Sequence, residues 1–257
     1  KENMVLMFAL PDELGGTPMH ALISSTKDNT PRLLIQDYQV GYLGKGMLND
    51  LISRDSRPID SSSDRLAIFA DPAGNLAGAR AEAAMIKDDL YYESSAYVGK
   101  SATVANFLKE CDKAAILHIA VHYMTDPDPS KFVLQLAPDG TSNGEITVQQ
   151  LAAITNPRLQ LVVLSACESA ASTDPLKSGA SSAAEVFSLA GAKSVLGGLW
   201  KVTDAPAKKL MGDFYRTLVR GKSRTESIQR AQIAMIEAKE YAHPFYWACF
   251  ALYGNPW

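Results

Sequence analysis

The sequence predicts an α/β fold, a mostly parallel central sheet with helices on both faces, and three features carry that prediction. From Arg65 onward, short apolar runs alternate with helix-periodic stretches. The runs are apolar on successive residues, as strands covered on both faces require. Helix starts recur between them as capping boxes, in which a side-chain hydroxyl and a carboxylate or amide satisfy each other's backbone donors: Thr147 with Gln150, Ser182 with Glu185, Ser223 with Glu226.

Taken in order, residues 1–64 read as an N-terminal extension packing on or extending the sheet, with strands near 5–10 and 21–25. The segment Gly41-Tyr42-Leu43-Gly44-Lys45-Gly46 reads as a turn, because Met47-Leu48 follow where a phosphate loop needs Lys then Ser or Thr. The polar stretch 54–64, with Pro58 and Ser61-Ser62-Ser63, reads as a mobile linker or loop. The main domain, 65–257, takes strands at 66–70, 115–122, 159–166, 194–200 and 245–253. A smaller hairpin, 132–136 with 144–147, is announced by the turns Pro138-Asp139-Gly140 and Asn143-Gly144. Over 204–219 the apolar stripe Leu210, Met211, Phe214, Leu218 and Val219 lies opposite Lys208, Lys209, Arg216 and Arg220, a solvated basic face.

Composition narrows the function. The 257 residues carry 25 Lys plus Arg against 28 Asp plus Glu, without the basic excess of a nucleic-acid or anionic-membrane binder. Protein or small-molecule partners are expected instead. Apolar runs at 4–10 and 247–253 are far shorter than the roughly 18 residues of a bilayer span. Cys111, Cys167 and Cys249, odd in number and widely spaced, suit a reducing compartment, so a cytoplasmic setting is expected. The chain starts at Lys1, which reads as a piece cut from something longer.

Two residues stand where chemistry gathers in parallel sheets, just past the carboxyl ends of strands. His122 closes one apolar run and Cys167 another, and each opens a polar loop, Tyr123 onward with Pro127 and Pro129, and 168–181. On neighbouring strands they would share a crevice as nucleophile and proton donor; a thiol near its pKa of about 8.5 is readily activated by an imidazolium or a helix N-terminus. A buried small residue and a satisfied loop histidine fit the same positions, so the spacing alone leaves both readings open. His118, four residues before His122, points to the same face of a strand and reads as a core histidine; an i, i+4 pair suits zinc only on a helix, and no metal or cofactor is expected. His243 reads as structural, and no G-x-S-x-G elbow is present.

The runs Leu117-His118-Ile119-Ala120-Val121-His122, Leu161-Val162-Val163-Leu164-Ser165-Ala166-Cys167-Glu168-Ser169-Ala170 and Gly191-Ala192-Lys193-Ser194-Val195-Leu196-Gly197-Gly198-Leu199-Trp200, followed by His243-Pro244-Phe245-Tyr246-Trp247-Ala248-Cys249-Phe250, resemble in order the motifs of the bacterial CHAT domain, over roughly 65–254. The resemblance implies a caspase-hemoglobinase-like three-layer sandwich of clan CD and a cysteine endopeptidase with a Cys-His dyad. In it Cys167 attacks the scissile carbonyl, His122 protonates the leaving amine, and the backbone N–H groups of Cys167 and Tyr123 hold the oxyanion. The family has His-Gly where this chain has His122-Tyr123, which implies a narrower hole or one needing activation. By likeness to separases, Asp204 matches an acid that recognises a basic P1 side chain, with Glu168 as a second candidate. Asp204 before Ala205-Pro206 also reads as a helix N-cap. The resemblance further implies a protein substrate and an upstream sensor, helical-repeat region or activating partner. A catalytically silent scaffold of the same fold is the alternative, and another cysteine enzyme such as an acyltransferase a third.

Overall fold

A computed structural model describes residues 4–27, 30–44, 47–48, 51, 57–91, 93–124, 130, 132–165 and 179–257. Its centre is an eight-stranded sheet built from β1 (Val5–Ala9), β4 (Gln39–Leu43), β5 (Leu66–Ala70), β6 (Ser94–Val98), β7 (Ile116–Ala120), β11 (Leu161–Leu164), β12 (Ser194–Gly198) and β13 (Phe250–Gly254). The remaining strands form a hairpin, β2 (Ile23–Lys27) with β3 (Thr30–Leu33), and a small antiparallel sheet of β8 (Tyr123–Met124), β9 (Val133–Gln135) and β10 (Glu145–Thr147). The order in the large sheet is β1-β4-β13-β12-β11-β7-β5-β6. Every neighbouring pair is parallel except β12 with β13, so two parallel blocks meet at one antiparallel junction. The strands β5, β7 and β11 are buried throughout, as their apolar sequences, interrupted only by His118 in β7, require.

Helices cover both faces. α1 (Leu34–Asp37) is a single turn, followed by α2 (Ala77–Met85), α3 (Val104–Cys111), α4 (Val148–Ala152), α5 (Gly179–Leu189), α6 (Asp204–Leu218), α7 (Arg224–Glu237) and α8 (Pro244–Trp247). Side chains alternate between faces along a strand. His118 of β7 touches Tyr215 of α6 and Glu82 of α2 on one face, while Phe69, in the next row on β5, meets Phe107 of α3 at 5.1 Å on the other. Removing the Phe69 ring, which also stacks on Tyr97 at 5.0 Å, would cost about 3–5 kcal/mol. The α6 stripe of Leu210, Met211, Phe214 and Leu218 is buried, and Asp213 on its outer side pairs with Lys209 and Arg216.

Several local expectations are corrected. Residues 39–43 form a strand, not a turn: Gly41 lies where a Cβ would fall 2.7 Å from Met7 Sδ, so glycine allows β4 to pair closely with β1. Residues 244–247 are helical, because Pro244 begins a turn whose first free N–H, that of Phe245, is accepted by His243 Nδ1 at 3.2 Å; the last strand starts only at Phe250. α5 begins at Gly179, three residues before the capping box placed at Ser182. The predicted linker is anchored over 57–64, where Arg57 forms a two-pronged bond to the buried Asp64 and Tyr91 donates to the Asp64 carbonyl. Among the described residues no helix is long and apolar enough to cross a membrane.

Candidate active site

The carboxyl ends of β5, β7 and β11 lie side by side, and the chain turns away from each into a cavity of about 520 Å³. At the end of β5 the backbone enters the left-handed region at Asp71 (φ 50°), a conformation that aspartate tolerates better than most residues. Its N–H donates to the Ala120 carbonyl of β7, and its carboxylate accepts from Leu76 N–H and pairs with Arg80. Burial pushes the Asp71 carboxyl up, but the Arg80 guanidinium and the Leu76 N–H outweigh it and hold the group below the ordinary carboxylate range. This braced turn carries Asn75 to the cavity, where its Oδ1 accepts from His122 Nε2 at 3.0 Å.

His122 lies two residues past β7 and lines the cavity. Ser165, the first residue past β11, lines it too and donates through its N–H to the Ile119 carbonyl. Cys167 and Glu168 lie outside the described residues. Asp204 reaches the cavity from α6, which lies beside α2 on the same face of the sheet. It is the first residue of α6, and Thr203 holds the cap position, so the N-cap expectation for Asp204 is corrected by one place. A Cβ on Gly78 would lie 2.2 Å from Asp204 Cγ, so a bare glycine is what lets α2 and Asp204 meet.

Tyr123 does not enter the cavity. Its ring is 1% exposed and packs against Phe132, with centroids 5.9 Å apart. Its backbone is extended, with Asp71 the sole non-glycine residue at positive φ among those described. In the β8–β9 ladder the bond at this end runs from Gln135 N–H to the His122 carbonyl, so the Tyr123 N–H points away from β9.

His118 is fully buried under the cavity, Nδ1 3.1 Å from the Tyr215 hydroxyl and Nε2 3.0 Å from Glu82 Oε1. Burial pushes the Tyr215 hydroxyl well above its usual value. Lys201 and Glu82 complete the charged lining. Among the described residues no group of three His, Cys, Asp or Glu side chains converges as metal ligands. Burial raises the Cys111 thiol far above its ordinary value, which leaves it inert. Sequence reasoning missed Asn75 and Glu82. The run Asp71-Pro72-Ala73-Gly74-Asn75, a turn at the carboxyl end of a buried parallel strand, was the signal for the first; a lone glutamate on a helix carried none for the second.

Comparison with known proteins agrees with this architecture. The chain superposes on a chain of the Saccharomyces cerevisiae separase–securin complex with a TM-score of 0.57 and 17% identity, over 86% of this chain and 14% of that one. It superposes on the Arg-specific cysteine proteinase gingipain R with a TM-score of 0.60 and 11% identity, over 98% of this chain and 63% of that one. A complex of the Porphyromonas gingivalis pro- and mature domains of the same proteinase matches equally, at 0.60 and 11%, over 99% and 65%. At these identities the likeness is one of fold, the caspase-like sheet with helices on both faces. Tetratricopeptide repeat protein 28 of Mus musculus is 33% identical over 97 residues, 38% of this chain and 4% of that protein. The chain thus spans less than two thirds of each of these relatives. The sequence profile of the CHAT domain matches residues 1–255, and the chain belongs to the CHAT domain family.

Proposed function

We propose that this chain is a cysteine endopeptidase that cleaves a protein substrate, with Cys167 as nucleophile and His122 as proton donor. The observation that carries the reading is the seat of His122: an imidazole at the end of β7, bordering an open cavity, with one ring nitrogen bonded to Asn75. Ser165 lines the same cavity, and the nucleophile follows two residues later in the chain. With Nε2–H donating to the Asn75 carboxamide, Nδ1 serves the reaction. The Cys167 thiolate attacks the scissile carbonyl, the oxyanion is held by the Cys167 and Tyr123 N–H groups, and His122 protonates the departing amine. His122 then takes a proton from the water that hydrolyses the acyl-enzyme. The buried, outward-turned Tyr123 ring supports an open site over a silent scaffold in which it closes the cleft.

Asp204 in the cavity favours a basic P1 side chain, with Glu168 as a second acid. Residues 1–64 act as an extension of the sheet rather than as a separate unit, supported by the pairing of β1 with β4 and of β4 with β13. Likeness to a tetratricopeptide repeat protein supports a repeat region or partner that regulates turnover. The buried thiols Cys111 and Cys249 support a reducing compartment. The test is cleavage of a peptide panel differing at P1, with the full-length protein and its regulator present. Cys167→Ala should abolish cleavage while Cys111→Ala keeps it, and Arg or Lys should be preferred at P1. Wild-type turnover by Cys167→Ala overturns the reading.

A further inference from the structure

We propose that Glu82 is a specificity-determining residue at the inner end of the cavity, reading the guanidinium or ammonium head of the side chain that enters it. This rests on the peptidase reading above and deepens it, because nothing in the family motifs points to a residue on α2.

The argument begins with helix geometry. Gly78 and Glu82 are one turn apart on α2 and share a face, about 6 Å along the axis. Asp204 sits against Gly78, and both residues border the cavity with Glu82. The two carboxylates therefore stand at two depths along one wall: Asp204 is exposed, whereas the Glu82 side chain is only 5% exposed.

The second observation concerns the atoms at the inner end. Glu82 Oε1 and His118 Nε2 are 3.0 Å apart but not aligned as a hydrogen bond, and among the described residues neither atom has a hydrogen-bond partner. A buried carboxylate oxygen without a donor is costly, and such orphans point to a group that arrives from elsewhere. Whichever ring nitrogen of His118 carries the proton, the unaligned contact leaves Glu82 Oε1, an acceptor, short of a hydrogen bond. The missing partner is then a donor, not an acceptor. Lys201 is the lining's lysine against these two carboxylates, so an incoming cation is favoured over an anion. A cavity of about 520 Å³ lies within the range of roughly 300–1,000 Å³ usual for small-ligand sites.

The test reads binding, not turnover, so its failure is distinct from failure of the peptidase reading. n-Butylguanidinium, a single cation on a four-carbon stem, and n-butylurea, its neutral ureido counterpart, are titrated into the wild-type protein and followed by NMR. Butylguanidinium should bind at least tenfold more tightly. Glu82→Gln should reduce butylguanidinium affinity at least tenfold and leave the neutral compound unchanged; Asp204→Asn should reduce it only a few-fold and leave a clear preference for charge. Equal binding of the two compounds, no saturable butylguanidinium binding, or wild-type affinity in Glu82→Gln overturns the proposal. Should Glu82→Gln fail to fold, the exposed Asp204→Asn variant decides: a charge preference that vanishes with it alone leaves no role for Glu82.

Discussion

His20 and His118 are both buried, and what surrounds them differs. His20 lies beside the three-strand block, where Nδ1 is 2.7 Å from the Tyr42 hydroxyl and Nε2 is 3.2 Å from the Ala248 carbonyl. Its ring also packs against Trp247. Both nitrogens are bonded within the protein itself. His118 lies in the five-strand block under the cavity and leaves Nε2 without an aligned partner. A closed polar cluster ties the N-terminal strands to the last one. An open cluster beside a cavity leaves part of its hydrogen bonding to be completed by what binds there.

The sharpest test of that contrast sets His122→Ala against His20→Ala. Loss of the His122 imidazole should lower kcat/KM by roughly a thousandfold or more, with unfolding in urea shifted by less than about 0.5 kcal/mol. His20→Ala should do the reverse, costing about 2–4 kcal/mol of stability by stranding Tyr42 and the Ala248 carbonyl in a new void, with kcat/KM retained. A similar activity loss in both variants would erase the distinction between the two regions.

Acid should separate them next. Burial lowers the His20 pKa from 6.5 to about 4, despite the bond to the Ala248 carbonyl. The unfolded chain takes up that proton first, so this stability is full above pH 6.5 and is lost as pH falls, about 3 kcal/mol by pH 4. The depressed carboxyl groups Asp71 and Glu110 act at lower pH, leaving the window from 6.5 to 4.5 mainly to His20. Urea unfolding of wild-type and His20→Gln protein across that window checks this. A slope that persists unchanged in the variant would remove His20 as its source.

The smallest effect is expected at Asn75. Asn75→Ala should lower kcat about ten- to fiftyfold with little change in KM, because it frees the His122 ring without touching substrate, and Asn75→Asp should restore most of the loss by offering the same acceptor. An equal rise in KM would reassign Asn75 to substrate binding.

The parts of the fold legible beforehand were those with short-range causes. Strand 66–70 matched to the residue, the 133–135 and 145–147 hairpin followed from its turn residues, and the Ser223 cap forms as its spacing requires, Oγ accepting from Glu226 N–H. Strands β4 and β6 were missed for opposite reasons. β4 carries Gly41, with Gly44 and Gly46 close behind, a pattern that signals a turn until Met7 is seen beside Gly41, and β6, at the sheet edge, is half-buried with no apolar run to announce it.

For the site, the sequence alone determined that His122 and Cys167 each follow a buried strand, because burial on both faces writes itself into consecutive apolar residues. Only the tertiary structure decided that Asn75, Glu82, His122 and Asp204 border one cavity. Their convergence depends on strand order, on the Asp71 turn and on the space left by Gly78. These are interactions between segments far apart in the chain, and neither periodicity nor capping, which act over a few residues, encodes them.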